Sequence, residues 1–232
     1  DLTELKRLFE HASTFGSLIQ VPEELASSLP ALKQLSEATS QDLFVSEALK
    51  RLGPLVQQAK LLAAQYDAVV ANPPYMGSKG MNTLVRAFTK DNFPDGKGDL
   101  FACFIERGYS LADREGSIAM VTMRNWMFLS SFQKLRERML REKTISTMAQ
   151  IGYNSFPTMN SKVAQATVFS LANHRSGGFV GTFIDLNRAP QSSNKNEVFL
   201  ARDSSNCYLV AGDDLKKLPG SPIAFWVSKR VR

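Results

Sequence analysis

The sequence predicts an α/β fold around a mostly parallel sheet, and three stretches carry that expectation. Tyr66-Asp67-Ala68-Val69-Val70-Ala71 is an apolar run that stops at Asn72-Pro73-Pro74-Tyr75. Consecutive Val69, Val70 and Ala71 suit a strand buried on both faces, the usual state of parallel strands. Ser117-Ile118-Ala119-Met120-Val121-Thr122-Met123 has the same character. Between the two, Leu100, Phe101, Phe104, Ile105, Gly108 and Leu111 recur at helical spacing and form a wide stripe to lay on the sheet.

With 232 residues the chain can bury one sizeable core and a small appendage. Apolar content of 44% and charged content of 22% are ordinary for a soluble globular protein. A net charge of +6 is compatible with a polyanionic partner without demanding one. No apolar run approaches the roughly 18 residues of a membrane span, and no secretory signal is visible. The expected location is therefore cytoplasmic, with no membrane partner. Cys103 and Cys207 stand alone in apolar contexts, and His11 and His174 lie far from both. That pattern offers neither a disulfide framework nor metal-ligand spacing, so no metal is expected.

In order, residues 1–65 read as a helical lead-in. Leu2, Leu5, Leu8 and Phe9 form a helical stripe that Gly16 ends, and Ser17 to Val21 reads as short and extended. Pro22 opens a helix to about Ala38 that Pro30 must kink or split. A further helix from Asp42 to Leu62 carries an expected break at Gly53-Pro54. Residues 66–175 are the expected catalytic half. After the strand at 66–71, Gly77-Ser78-Lys79-Gly80 is a flexible loop, a helix runs from Met81 to Lys90, and Pro94 to Gly98 is a second turn-rich loop. Asp99 stands at the N-cap of the striped helix, which Gly116 ends. Ser130 with Gln133 reads as a capping box, with Phe132, Leu135, Met139 and Leu140 inward and Lys134, Arg136, Arg138 and Arg141 on a solvated face. Strands follow at 144–150 and 163–171, with the loop Tyr153 to Thr158 between them. Residues 176–232 form a β-rich extension with strands at 179–184 and 206–210 and a basic end, a candidate start of a target-recognition region.

The chemistry concentrates at Asn72-Pro73-Pro74-Tyr75. Neither proline can donate to a sheet, so the strand ends there, at its carboxyl end, where open α/β sheets bind ligands. The prolines also bias Asn72 toward an extended conformation. The Asn72 side-chain oxygen and the Pro73 carbonyl then converge as a rigid pair of acceptors. Two fixed acceptors match the two hydrogens of an exocyclic NH2, draw its nitrogen toward sp3 geometry and free its lone pair for an electrophile. Tyr75 offers a face for the ring carrying that amine, a stacking worth about 1–3 kcal/mol per base. The bland alternative is a Pro-Pro turn with Asn72 capping and Tyr75 packing.

The motif resembles the catalytic motif IV of amino-methyltransferases that use S-adenosylmethionine, of which the N6-adenine DNA methyltransferases form the largest group with this wording. Ala71 to Asn82, Phe104-Ile105-Glu106-Arg107-Gly108, Met120-Val121-Thr122-Met123 and Trp126 to Ser131 are similar to the adenine methyltransferases of BREX phage-defence systems (PglX type) and to type IIG-like enzymes. The resemblance covers roughly residues 1–190. It implies a Rossmann-like methyltransferase sheet, mostly parallel with a final antiparallel strand and helices on both faces. It also implies S-adenosylmethionine as cofactor, double-stranded DNA as partner, a flipped adenine as substrate and association with other defence-system proteins. By the same resemblance Asn72, Pro73, Pro74 and Tyr75 are catalytic, and Phe156 stacks on the other face of the base. Asp99 opens motif V, close to the cofactor, although capping explains it equally well. The segment Phe9 to Ile19 resembles motif III but has His11 where an acidic residue is usual.

Gly-x-Gly is absent from residues 1–65, and so is any glycine-rich turn after a strand. The expectation is a piece of a longer polypeptide from motif III onward, with the cofactor-holding half upstream. In isolation it would be inactive and prone to associate through the 66–71 edge. Two other functions use the same residues: amino-methyl transfer to RNA or to a protein glutamine, and a non-catalytic DNA-binding module.

Overall fold

The apolar stripes of the first 65 residues bury one another. The helices α1 (Leu2–Phe9), α2 (Ala12–Phe15), α3 (Glu23–Ser36) and α4 (Leu43–Ala63) enclose a core that includes Leu5, Phe9, Ile19, Leu25, Leu29 and Val56. The segment expected to be extended is partly a 3-10 turn, Gly16–Leu18. Neither proline splits its helix: α3 continues past Pro30 and α4 past Gly53-Pro54. An interior proline costs a helix about 3 kcal/mol. Leu29, Leu32, Leu52 and Val56, which flank the two prolines, are all buried in that core. Each such burial contributes about 1.5–3 kcal/mol, so packing outweighs the local penalty.

The computed structural model describes residues 1–152, 165–190, 193–228 and 230. They form two units, Asp1–Gln65 and Tyr66–Arg232. The second unit holds β1 (Tyr66–Ala71), α5 (Thr83–Asn92), α6 (Leu100–Leu111), β2 (Ala112–Met123), α7 (Gln133–Glu142), β3 (Thr144–Gly152), β4 (Ala166–Ala172), β5 (Val180–Asp185), α8 (Lys195–Ala201), β6 (Cys207–Ala211) and α9 (Gly212–Lys216).

The sheet order is β1-β2-β4-β3-β5-β6. β1 pairs in parallel with β2, and β3 with β5, while β4 runs antiparallel between β2 and β3 and β6 antiparallel to β5. Four of the six strands thus share one direction in a mixed sheet, with β1–β2 and β3–β5 the parallel pairs. The final strand is antiparallel as expected, and β4 is a second antiparallel strand inside the sheet. β5 and β6 continue this same sheet. The residues expected as an extension therefore form one margin of it.

Register assigns the faces. Val69, Ile118, Met120, Met148, Phe169, Phe183 and Val210 point to one face, where they meet Phe101 and Ile105 of α6, Leu135 and Met139 of α7, and Leu215 of α9. On the other face Ala149 and Ile184 pack under Val198 and Phe199 of α8. Helices thus lie on both faces. The strand β2 starts at Ala112, earlier than the expected Ser117, because α6 already ends at Leu111. Gly116 lies at the shift in β1–β2 register, where a Cβ would stand 2.8 Å from the Tyr66 carbonyl oxygen.

Two expectations for α7 fail together. No capping box forms: Ser130–Phe132 is a 3-10 turn, and Gln133 Nε2 donates to Glu137 Oε1. Arg136, expected on a solvated face, is 2% exposed. Its guanidinium donates to the carbonyls of Trp126 (2.7 Å), Leu129 (2.7 Å), Gly220 (2.8 Å) and Ser221 (3.1 Å). The chain returns over this face after α9, with the Ile223 N–H donating to the Met127 carbonyl. A guanidinium carries enough fixed donors to satisfy that many carbonyls.

Candidate active site

β1 is an edge strand whose carboxyl end leads straight into Asn72-Pro73-Pro74-Tyr75, and Ala71 pairs with Met120. Pro73 is buried and Asn72 is exposed, so the asparagine amide is presented at the rim instead of being drawn into the core. The Tyr75 hydroxyl lies 3.4 Å from both the Asn72 Oδ1 and the Val121 carbonyl oxygen. One phenolic proton serves one of these acceptors at a time, and both distances are at the long, weak end of the hydrogen-bond range. Tyr75 is half-buried, and burial pushes its hydroxyl above the ordinary tyrosine value. Its ring meets Phe101 edge-on with centroids 6.2 Å apart.

The peptide after Tyr75 is tied to the loop that precedes α6. Asp99 caps α6, its Oδ1 accepting from the Phe101 N–H at 3.4 Å, and the same oxygen accepts from the Met76 N–H at 3.0 Å. Burial raises the Asp99 carboxyl above the usual range, against the pull of those backbone donors. The Leu100 N–H donates to the Met76 carbonyl, and the Ser78 N–H to the Gly98 carbonyl, each at 3.0 Å. Asp99 thus crosslinks two loops as well as capping a helix. Its Oδ2 lies toward Gly77, where an added Cβ would stand 3.6 Å away.

The structure therefore brings Asn72, Pro73, Pro74, Tyr75 and Asp99 to one rim. Phe156 lies outside the described residues. Lys79, Lys90 and Lys97 are exposed around these loops. Among the described residues no three His, Cys, Asp or Glu side chains converge as a metal site, and no helix is long and apolar enough to cross a membrane. Cys103 is buried and Cys207 half-buried, both as free thiols, and burial pushes the Cys103 thiol up to about 12.

Sequence reasoning passed over Glu106 as a mere part of the Phe-Ile-Glu-Arg-Gly wording. It is 7% exposed, and burial, opposed by the Gly96 N–H and reinforced by Asp95, raises its pKa to about 7. The signal was present: a carboxylate beside Ile105 on a helix with an unusually wide apolar stripe must find buried donors.

Residues 12–156 match the family model described as Eco57I restriction-modification methylase. The chain is 44% identical over 224 residues to the adenine-specific methyltransferase BrxX of Escherichia coli O9:H4 (strain HS), covering 95% of this chain and 18% of that protein. It is 34% identical over 239 residues to the adenine-specific methyltransferase PglX of Lacticaseibacillus casei (strain Zhang), covering 99% of this chain and 20% of that protein. The chain thus spans about a fifth of the length of the curated relatives it matches. A type I restriction-modification structure shares its fold at TM-score 0.56 and 12% identity, over 88% of this chain and 52% of that one. So does a structure described as a type I restriction enzyme modification subunit from Vibrio vulnificus YJ016, at TM-score 0.51 and 13% identity, over 80% and 48% of the two chains.

Proposed function

The chain belongs to the Eco57I restriction-modification methylase family, and from that premise we infer that the longer protein transfers a methyl group from S-adenosylmethionine to N6 of adenine in double-stranded DNA, in a phage-defence or restriction-modification setting. The observation that carries this reading is the exposed Asn72 amide at the carboxyl end of β1, beside buried Pro73 and half-buried Tyr75. The names of the 44% and 34% identical relatives favour adenine over RNA or a protein glutamine.

In this reading the target adenine leaves the duplex, at a cost of a few kcal/mol, and stacks between Tyr75 and Phe156. Asn72 Oδ1 and the Pro73 carbonyl accept the two N6 hydrogens, displacing the long contact from the Tyr75 hydroxyl. The lone pair so freed would take the methyl group that bound S-adenosylmethionine supplies, the sulfur–methyl bond breaking as the C–N bond forms and S-adenosylhomocysteine leaving as the neutral thioether. One N6 proton is lost after transfer, and the strong acidity of the ammonium makes a dedicated base unnecessary. Much of the rate comes from holding the amine in line. S-adenosylmethionine, when bound, supplies the electrophilic methyl carbon. Of this chain's residues Asp99 suits it best, through the Oδ2 left over from capping, but one carboxylate is not a cofactor cradle. The remaining contacts belong to other parts of the polypeptide.

The open side of β1 supports that division. Val70 is 79% exposed although it lies in a strand, and among the described residues β1 has a partner strand on one side, β2. A strand so placed needs cover or a further pairing partner. In this reading the rest of the longer protein supplies it, and residues 66–175 are the catalytic half.

The test incubates the full-length protein and labelled S-adenosylmethionine with adenine-containing duplex DNA, RNA and glutamine-containing peptides, and identifies the product after digestion. N6-methyladenine from DNA is the expected result. Label in RNA or peptide alone, or DNA binding without cofactor binding, would replace this reading by one of the two other functions.

A further inference from the structure

The loop 93–99 is held from behind by a carboxylate that takes no part in the rim itself. Gly96 lies so close to α6 that a Cβ there would stand 2.5 to 2.7 Å from backbone atoms of Ala102 and Cys103. Its N–H donates to Glu106 Oε1, and the Asp95 N–H also supports the ionised Glu106. The other oxygen, Oε2, faces Arg138 Nη1 at 3.4 Å, which in turn lies 4.0 Å from Asp95. Arg138 is itself steadied by Glu142 at 3.1 Å and sits over the buried Tyr109 ring.

From this anchor a continuous set of bonds reaches the catalytic turn. The Asp99 N–H donates to the Gly96 carbonyl at 3.1 Å. Asp99 Oδ1 then takes the Met76 N–H, and the Gly98 carbonyl takes the Ser78 N–H. Met76 directly follows Tyr75. A loop gripped at Gly96 therefore fixes where the chain leaves Asn72-Pro73-Pro74-Tyr75.

We propose that Glu106 is a positioning residue: by anchoring Gly96 it fixes the loop 93–99 and, through Asp99, holds Met76 to Ser78 so that Asn72 and Tyr75 keep the geometry methyl transfer needs. This rests on the methyltransferase reading for its effect on rate, while the anchoring itself does not. A carboxylate suits the task because it accepts on both oxygens at once, one for the loop and one for Arg138. Burial and Asp95 oppose its ionisation, and the loop donors and Arg138 support it, so the anchor is held by the contacts it makes.

The test compares full-length Glu106→Ala, Glu106→Asp and Glu106→Gln proteins with the parent. In Glu106→Ala, amide hydrogen exchange rises in peptides spanning 76–78 and 94–100 and not in β3 or β4. Its kcat for DNA methylation falls about 10- to 100-fold, the scale of a misplacement near 1 Å, while KM for DNA moves less than threefold. Glu106→Gln, which retains an acceptor for Gly96 but loses the one for Arg138, restores both readouts in part, above the level of Glu106→Ala. Glu106→Asp keeps the charge, shortens the reach, and gives the same pattern more weakly; it decides the matter if the alanine variant does not fold. Unchanged protection at 76–78 together with kcat within threefold of the parent, in whichever of the two shortened variants folds, overturns the proposal. A parent that methylates no DNA, with the exchange pattern as stated, leaves the anchor standing and overturns the methyltransferase reading instead.

Discussion

The two faces of the sheet are built differently. One is sealed by α6, α7 and α9, which adjoin β2, β3 and β6 in sequence, and it buries Phe101, Trp126, Met148 and Phe169. The other carries α8 over Ala149 and Ile184, while Val70 and Leu209, at the two margins of the sheet, remain 79% and 70% exposed. The first face is closed by the chain's own local elements. The second is closed locally at its centre and left bare at β1, beside the candidate catalytic turn. A face that short connections can cover is closed by them, and Tyr75 packs against that face through Phe101, whereas Val70 on the other face stays exposed.

That contrast is broken first by a truncation on the sealed face. Trp126→Ala removes a fully buried indole that donates to Thr122 Oγ1 at 2.9 Å and meets Phe169 edge-on at 5.5 Å. Denaturant unfolding should show a loss of about 3–5 kcal/mol. A loss under about 1 kcal/mol would mean that the face is not closed by its own packing.

A second effect is a change of slope with pH. With Glu106 raised to about 7 in the fold against an ordinary value near 4.5, the folded state binds the extra proton between those values. Its contribution to stability is therefore full below about pH 4.5 and is lost as pH rises through 7. Glu106→Gln removes that dependence, so the difference in unfolding free energy between variant and parent should shift in favour of the variant from pH 4.5 to 7.5. A difference that stays flat across this range would mean that Glu106 titrates as an exposed carboxylate does.

The smallest effect lies on the bare face. Val70→Thr keeps the branched side chain that strands favour and alters an exposed position, so this chain should lose less than about 0.5 kcal/mol. In the full-length protein the same change should cost about 1–3 kcal/mol if a buried apolar surface forms over it. Equal costs in the two contexts would leave β1 uncovered in both.

Much of this was legible in the sequence because local rules and the fold agree there. Val69-Val70-Ala71 before two prolines gave the strand and its end, but not burial on both faces: Val70 is 79% exposed because β1 lies at the sheet's edge with one face uncovered. Gly98-Asp99-Leu100 gave a helix start that the structure keeps. The reading went astray where long-range contacts overrule local chemistry. Pro30 and Pro54 sit inside intact helices because leucines on either side are buried. Arg136 leaves its expected solvated face because residues 220 and 221, more than 80 positions away, bring carbonyls to it. Nothing in the spacing around Ser170 tells that β4 enters the sheet antiparallel between β2 and β3. Glu106 was readable as a buried carboxylate, but its partner Gly96 was not, because the fit of that glycine against α6 exists only in three dimensions.

The central claim is that the Asn72 amide at the open end of β1 grips the amine that receives the methyl group. Single-turnover methylation of DNA by full-length Asn72→Ala protein, with DNA affinity measured alongside, tests it most directly. The account predicts a rate about 100- to 1000-fold or more below the parent, the scale of losing one aimed hydrogen-bonding group at a reacting centre, with the Kd for DNA changed less than threefold. A rate within a few-fold of the parent would contradict it.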